Sequence, residues 1–539
     1  TAIFDKQGRP IAMFSDISNQ QIGYFQIQKA LEEIPEFYPG DIFIMNDPYL
    51  GMGTHLDDWS FYRPIFYKDR LEFFTMIRGH QMDTGGSHPG GYHAEPFDLH
   101  SEGLRLRPIK ICEKGVMRRD VYTLITDNMR WSEGVRMDHQ SFFAALKFCE
   151  SQVVDMIEKY GLEQIYACCE AMIELTRRAI RKEIEGIPDG VYTGEATCDD
   201  DGTAYDVPVT VRVKVTVKGA AINADFSESD PQVKGFINSP LTHTYCKAHL
   251  ALLTCIVPGM ADYHNQGSLE DLQIITKKGT VVDPIYPAPV GCCPVIAGGL
   301  ILEAMWEALS KAVPENVPAQ PTRSMHPHIV SDHPRTGKSY EIKNFWAEGG
   351  GGAVYGYDGW PNTSPHGSGV LCKSSIEVME ASFPWRALRY KIATDHAGAG
   401  KWRGGVGNFW SLLNEGKPGL LMTGPADGQK LYSLKEGYLG GKAGKVNEIY
   451  IVRHGERIPV AGKRNVPLQE GDELLHISGG GAGVGNPLER DVECIREDVL
   501  EGVISLEGAR RDYGVVIDPD NLKVDLSETA GLRAQMKIK

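Results

Sequence analysis

Residues 207–226 read VPVTVRVKVTVKGAAINADF. Val207, Val209, Val211, Val213, Val215 and Val217 recur at every second position, with mostly polar residues between them. A period of two puts alternate side chains on one face of a pleated strand, so this is a strand with one buried face. Lys218-Gly219 supplies a turn, and Ala220, Ile222, Ala224 and Phe226 carry the alternation back. The segment is an antiparallel hairpin.

Working upstream, Ser141 to about Ile184 turns helical, and Gly161 divides it into two helices. The second has apolar residues at Leu162, Ile165, Cys169, Met172, Leu175 and Ala179, the spacing of one buried face. Arg177, Arg178, Arg181 and Lys182 suit its C-terminal dipole, and Gly186, Pro188 and Gly190 stop it. Nearer the start, Ile42-Phe43-Ile44-Met45 is an apolar strand after Pro39-Gly40-Asp41. Phe61–Phe66 and Leu71–Ile77 read as two strands joined at Lys68-Asp69. Gln20 to Ile34 reads as a short helix, and the opening TAIFDKQGRPIAMF as a hairpin turning at Lys6-Gln7-Gly8.

Downstream, Leu250–Ile256 and Ala297–Val313 read as buried helices. Between Asp332 and Gly485 short strands and glycine-rich turns dominate, and the tail from Pro487 is helical, with proline at a first helical position. The expected fold is α+β and multi-layered. Its sheets are mixed and mainly antiparallel, with a helical segment around 141–185. Five regions follow: an α+β region at 1–140, a helical segment at 141–190, an α+β region with the valine hairpin at 191–330, a mainly β, glycine-rich region at 331–486, and a helical tail at 487–539.

The 539 residues carry a net charge of −15 with no basic stripe, which argues against a nucleic-acid partner. No apolar run approaches the roughly 18–20 residues needed to cross a bilayer; Cys292 to Trp306 is interrupted by Gly298, Gly299 and Glu303. The 11 cysteines are scattered without a CxxC pair, the pattern of free thiols in a reducing cytosol. The chain opens at Thr1 with no preceding Met, so a segment upstream of it is expected.

Between Asn46 and Glu102 imidazoles and carboxylates crowd together: His55, His80, His88, His93 and His100 with Asp47, Asp57, Asp58, Asp83, Asp98 and Glu102. These are the groups that a divalent metal needs and that general acid–base chemistry needs. The sharpest candidate is His55-x-x-Asp58 with His80. Two nitrogens and one carboxylate with open positions make a facial site for Mn, Fe or Zn, while the same residues could equally form a structural His–Asp network. Asp57 and Asp83 are the carboxylates that could orient a ligating histidine. His88, His93 and His100 lie among glycines.

Other motifs are weaker. DHPRTGKS at 332–339 ends like a phosphate loop but has Asp where the first glycine should stand, and no apolar strand precedes it. The cluster Gly479–Gly485 does not match G-x-G-x-x-G, so it reads as a structural turn. Gly349–Gly352 could bring backbone close to a ligand or form a sharp bend under aromatic residues. No G-x-S-x-G elbow supports a serine nucleophile, and there is no biotin motif.

GDIFIMNDPYLGMGTHLDD (40–58), RGHQMDTGG (78–86), INSPLTH (237–243), ASFPWRALRYKIATDHAGAGKWRGGVG (381–407) and SGGGAGVGNPLERD (478–491) together resemble the hydantoinase B family. The resemblance covers nearly the whole chain. It implies a subunit that works with a hydantoinase A-type partner carrying an actin-like ATPase, so that ATP is used on another chain. It implies a divalent metal (Mn, Zn or Fe) held by His55 and Asp58 of THLDD and by His80 of RGH. In that frame Asp83 would orient a ligand, and His88 or His93 would shuttle a proton.

RGHQMDTGGSHPGGYHAEPFDLHSEGLRL, with its Pro-Gly bend after the double glycine, is closer to the ketone carboxylase branch, and the length is closer to an acetophenone-type subunit. The first expectation is therefore the metal-dependent catalytic subunit of a cytoplasmic, ATP-dependent ketone carboxylase, with a small zinc-binding subunit as a further partner. The second is the B subunit of a hydantoinase, 5-oxoprolinase or lactamase that opens a cyclic amide. The third is a non-catalytic scaffold.

Overall fold

Strands β1 (Ala2–Asp5) and β2 (Pro10–Met13) form the expected opening hairpin in the computed structural model. It describes residues 1–13, 26–51, 53–92, 94–256, 264–323, 326–343, 348–363 and 374–538. The chain then adds β3 (Ile42–Met45), β4 (Asp58–Tyr67), β5 (Arg70–His80), β6 (Ile109–Glu113) and β7 (Val116–Met117). The seven strands lie in the order β2-β1-β5-β4-β3-β6-β7, and neighbouring strands run antiparallel. The β4–β5 turn sits where the sequence put it. Lys68 and Asp69 have φ of 49° and 62°, as a two-residue turn matched to strand twist demands.

Both faces of this sheet are covered. Phe43, Met45, Tyr62, Phe74 and Met76 pack with Ile27 and Ala30 of α1 (Gln26–Glu33). Ile42, Ile44, Trp59, Phe61 and Ile77 pack with Val135 and Leu146 of α3 (Ser132–Tyr160), which follows α2 (Arg119–Thr126). Gly161 ends α3, and α4 (Leu162–Ile184) follows directly. The buried stripe of α4 is Ile165, Cys169, Ile173, Thr176, Ile180 and Ile184. Met172 and Leu175, expected on it, are 43% and 69% exposed, because each lies one position off the 3–4 spacing that the stripe keeps.

The valine hairpin is β9 (Val209–Lys218) against β10 (Ala221–Asp225), with β8 (Gly190–Cys198) and β11 (Leu272–Ile275) completing a four-stranded sheet in the order β11-β10-β9-β8. β9 and β10 pair antiparallel, and β10 and β11 pair parallel. Val207 stays outside the strand, because its N–H closes a turn onto Ala204. Helix α5 (Leu241–Ile256) starts well before the expected Leu250, and α6 (Ala297–Ser310) runs as expected.

Residues 1–196 and 210–308 form most of one compact unit; residues 197–209 and most of the chain from 309 onward form a second. The second unit holds a four-stranded sheet (His328–Asp332, Ser339–Lys343, Gly419–Met422, Asn465–Leu468) and a five-stranded sheet (Trp385–Ile392, Asn408–Asn414, Glu448–Arg453, Glu456–Pro459, Glu473–Ile477). DHPRTGKS is the tight loop between two antiparallel strands, not a strand-to-helix phosphate loop. The glycine clusters pack backbone on backbone. A Cβ at Gly350 would stand 1.8 Å from the Gly405 carbonyl oxygen, and one at Gly481 would stand 1.9 Å from that of Gly351. The tail past Pro487 contains helices Val492–Leu500, Leu506–Tyr513 and Leu526–Ile538. The fold is α+β with four mainly antiparallel sheets among the described residues.

Candidate metal centre

Strand register builds the centre of the site. Asp58, the first residue of β4, is the direct cross-strand partner of His80, the last residue of β5. Facing residues in an antiparallel pair bring their Cβ atoms to about 4.5–5.5 Å, so the hairpin itself delivers two of the expected ligands to one spot. His55 arrives from the turn just before β4. Its ring centroid lies 5.0 Å from that of His80.

Both imidazoles are oriented by main chain. His55 Nδ1 lies 2.9 Å from the Gly291 carbonyl oxygen, and His80 Nδ1 lies 2.9 Å from that of Gln81. A carbonyl only accepts, so both Nδ1 atoms carry hydrogen and both Nε2 atoms are left for other partners. This is the arrangement by which ligating histidines are held. His55 Nε2 is 3.5 Å from Asp58 Oδ2, and His80 Nε2 is 4.0 Å from Asp57 Oδ2 and 3.1 Å from the Tyr92 hydroxyl. His55, Asp57 and His80 offer ligand atoms that all lie within 4.8 Å of one another.

A lone pair on His55 Nε2 facing a carboxylate is repulsive unless a proton or a cation lies between them. Burial of His55 opposes its charge, but Asp58 outweighs that and raises the imidazole above its ordinary value. Asp58 is correspondingly held well below the usual carboxylate range, its burial outweighed by His55. Donors about 2.1 Å from one ion stand about 3.0–3.4 Å apart, close to the His55–Asp58 separation. The donor set therefore fits a divalent cation, with His55, His80 and the Asp57–Asp58 pair as its holders.

The carboxylates are themselves tied down. Thr84 Oγ1 donates to Asp57 Oδ1 at 2.8 Å, and Thr54 Oγ1 donates to Asp58 Oδ2. Glu102 is 3% exposed, and its Oε1 accepts the Gly291 N–H at 2.7 Å, so one residue, Gly291, links Glu102 to His55. Burial keeps the Glu102 carboxyl well above its ordinary range.

The remaining expected residues fall elsewhere. The Asp83 carboxylate accepts from the backbone of Gly85, Gly90 and Arg130 and from Arg130 Nη1. It fixes the loop that follows β5 and bonds to neither His55 nor His80; Asp57 takes the neighbouring place. His88 lies on the Arg130 side of that loop, its carbonyl accepting from Arg130 Nη1 at 3.5 Å. Burial and the Arg130 charge push its imidazole below the ordinary value. His93 lies outside the described residues. His100 Nε2 pairs with the Tyr286 hydroxyl at 2.7 Å.

Two buried groups went unassigned from the sequence, His243 and Lys247 on α5, both 0% exposed. His55 and Asp58 are among the charges acting on His243, and Asp58 among those acting on Lys247. The available signal was a histidine and a lysine four apart inside a largely apolar helix.

The hydantoinase B/oxoprolinase family profile matches residues 1–487. The caprolactamase subunit beta of Pseudomonas jessenii is 31% identical over 93% of this chain and 86% of its own length. The acetophenone carboxylase delta subunit of Aromatoleum aromaticum is 24% identical over 93% of this chain and 78% of its own length. The crystal structure of the ATP-dependent caprolactamase from Pseudomonas jessenii superposes with a TM-score of 0.88 at 28% identity, covering 99% of this chain and 92% of that one.

Proposed function

The chain belongs to the hydantoinase B/oxoprolinase family, and on that premise we propose that it is the metal-bearing subunit of an ATP-dependent heteromeric enzyme that opens a cyclic amide. The observation that carries this reading is the pair of Nδ1-anchored histidines facing Asp57 and Asp58 in a chain most alike, of the relatives named above, to a caprolactamase subunit. The metal would supply Lewis acidity to a carbonyl oxygen or to water. His55, His80, Asp57 and Asp58 would hold it, and Glu102 and Gly291 would fix His55. An ATPase partner of the hydantoinase A type would activate the amide on another chain. No disulfide links the described cysteines and no described helix is long and apolar enough to cross a membrane; we assign the complex to the cytoplasm.

The likeness to an acetophenone carboxylase subunit supports a second reading, ATP-dependent carboxylation of a ketone, with a small zinc-binding subunit as an added partner. One experiment separates the two. The chain is purified with its ATPase partner and given ATP, metal and labelled bicarbonate, with either ε-caprolactam and hydantoin or acetone and acetophenone. ATP-dependent ring opening without label uptake supports the first reading. Label incorporated into a ketone, with the amides untouched, replaces it by the second. If Asp58→Asn leaves both turnover and assembly unchanged, the chain is a scaffold.

A further inference from the structure

We propose that His139 of α3 is a positioning residue for the metal centre: through Gln81 it fixes the carbonyl that aims His80. The proposal rests on the reading of His80 as a metal ligand. It holds for either reaction class, because it concerns the seat of the ion and not the substrate.

Gln81 is the hub. It follows β5 directly, and its N–H donates to the Asp57 carbonyl at 2.8 Å while its own carbonyl accepts from His80 Nδ1 at 2.9 Å. One residue thus ties the main chain of one candidate holder to the ring of another. Side chains alternate along a strand, so with His80 directed to the centre, Gly79 and Gln81 turn to the opposite face, where α3 packs. A Cβ at Gly79 would stand 2.4 Å from the Phe142 ring. Glycine there lets α3 lie close, and His139, one turn before Phe142, meets the Gln81 side chain.

Each bond in this chain has a fixed direction. The Gly79 carbonyl only accepts, so Gln81 Nε2 donates to it at 2.9 Å, which turns Oε1 toward His139. Oε1 also only accepts, so His139 Nε2, 2.9 Å away, carries hydrogen. His139 Nδ1 lies 3.1 Å from the Tyr122 hydroxyl. Burial pushes the imidazole down to about 4 and the Tyr122 phenol up to about 12. The ring is therefore neutral, its Nδ1 is a lone pair, and Tyr122 donates to it. His139 is 0% exposed and Gln81 2%. The His139 ring centroid lies 4.8 Å from that of Phe61, 5.7 Å from that of Trp59 and 5.9 Å from that of Tyr122. A leucine would suit so aromatic a nest without the cost of burying a polar ring. What the imidazole adds is the bond to Gln81. A fully satisfied buried network is rigid, and His80 needs that support: it ends its strand, and its side chain is 38% exposed.

The test titrates the full chain with Mn²⁺ by calorimetry and records the absorption bands of its Co²⁺ form, which report the ligand geometry. His139→Leu should weaken Mn²⁺ binding by about tenfold, the lower end of what supporting groups cost, and alter the Co²⁺ bands. His139→Gln, whose amide can donate from the place of Nε2, should recover part of the affinity. Val135→Ala, one turn earlier on the same buried face of α3, should lower stability and leave affinity and bands unchanged. Affinity within about twofold of wild type in His139→Leu, an equal loss in Val135→Ala, or a glutamine variant no better than leucine overturns the proposal. Should His139→Leu fail to fold, Tyr122→Phe decides: weaker Mn²⁺ binding with shifted Co²⁺ bands supports the positioning role, and wild-type values overturn it. Wild-type chain and His80→Ala binding Mn²⁺ alike would instead sink the reading of His80 as a ligand, and the proposal with it.

Discussion

His55 donates its Nδ1 proton to the Gly291 carbonyl at 2.9 Å across 236 residues of sequence. The N–H of that same residue is held by Glu102 Oε1 at 2.7 Å. The candidate ligand His55 is thus aimed by Gly291, and Gly291 by the Glu102 carboxyl. Glu102→Gln keeps an acceptor of the same shape and should leave metal affinity within a few fold. Glu102→Ala leaves a buried N–H unpaired, which costs about 1–3 kcal/mol of stability. Its loss should weaken metal binding by about 10–100-fold, as removal of supporting groups generally does. Calorimetric metal titration of the three proteins checks this.

Glu102 also predicts a pH slope. Its folded pKa is raised well above 4.5, so the folded state keeps a proton that the unfolded state gives up. The stabilisation is complete below about pH 4.5 and is lost as pH rises toward the folded value. In metal-free protein, Glu102→Gln should therefore flatten the decline in stability between mildly acidic and neutral pH. Denaturant midpoints measured at several pH values would show it, and an unchanged slope would contradict the assignment.

Asp57 and Asp58 are neighbours in sequence, and both reach the histidines: Asp57 Oδ2 lies 3.5 Å from His55 Nδ1 and 4.0 Å from His80 Nε2, and Asp58 Oδ2 lies 3.5 Å from His55 Nε2. Asp57→Asn and Asp58→Asn should each lower metal affinity by at least about 10–100-fold. Asp83→Asn should leave affinity nearly unchanged and instead destabilise the loop by about 1–3 kcal/mol, since its carboxylate bonds to Arg130. Metal content after dialysis, read with thermal midpoints, separates the two effects.

Much of this was legible because it is local. The alternation of valines fixes β9, and the turn at Lys68-Asp69 fixes the start of the β4–β5 hairpin; counting back from that turn would face Asp58 with Gly79, and a register shift between Ile65 and Phe66 brings His80 opposite it instead. Period and turn chemistry act within a few residues of themselves. The rest depends on pairings that no local pattern encodes. Gly291 reaches His55, and His243 lies on a helix, α5, whose largely apolar composition hides which face is which. Asp83 looked equivalent to Asp57 in sequence; only the position of Arg130 shows that its carboxylate is already committed. Met172 and Leu175 misled because apolar residues on a long exposed helix need not be buried.

In the second unit, Lys463 is 0% exposed and pairs with Asp427 at 2.9 Å, while Arg323 approaches the other oxygen at 3.3 Å. Asp427 Oδ1 also accepts the backbone N–H of Asp199 at 2.8 Å. Removing one partner of a buried pair strands the other charge, at about 3–5 kcal/mol. Lys463→Met should destabilise the protein by that amount in denaturant titration while leaving metal affinity within a few fold. A loss below about 1 kcal/mol would mean that Arg323 alone neutralises Asp427.

Gly298 and Gly299 make an internal control inside α6. A Cβ at Gly298 would stand 2.6 Å from His243 Cε1, 2.8 Å from Lys247 Cε and 3.0 Å from the Cys293 carbonyl oxygen, whereas one at Gly299 meets nothing within 4 Å. Gly299→Ala gains helix propensity worth up to about 1 kcal/mol and should stabilise the fold. Gly298→Ala makes the same propensity gain but forces two buried side chains aside, and overpacking costs about 1–3 kcal/mol. Denaturant midpoints compare the two, and equal stability in the two alanine variants would contradict the close packing of His243 and Lys247 on Gly298.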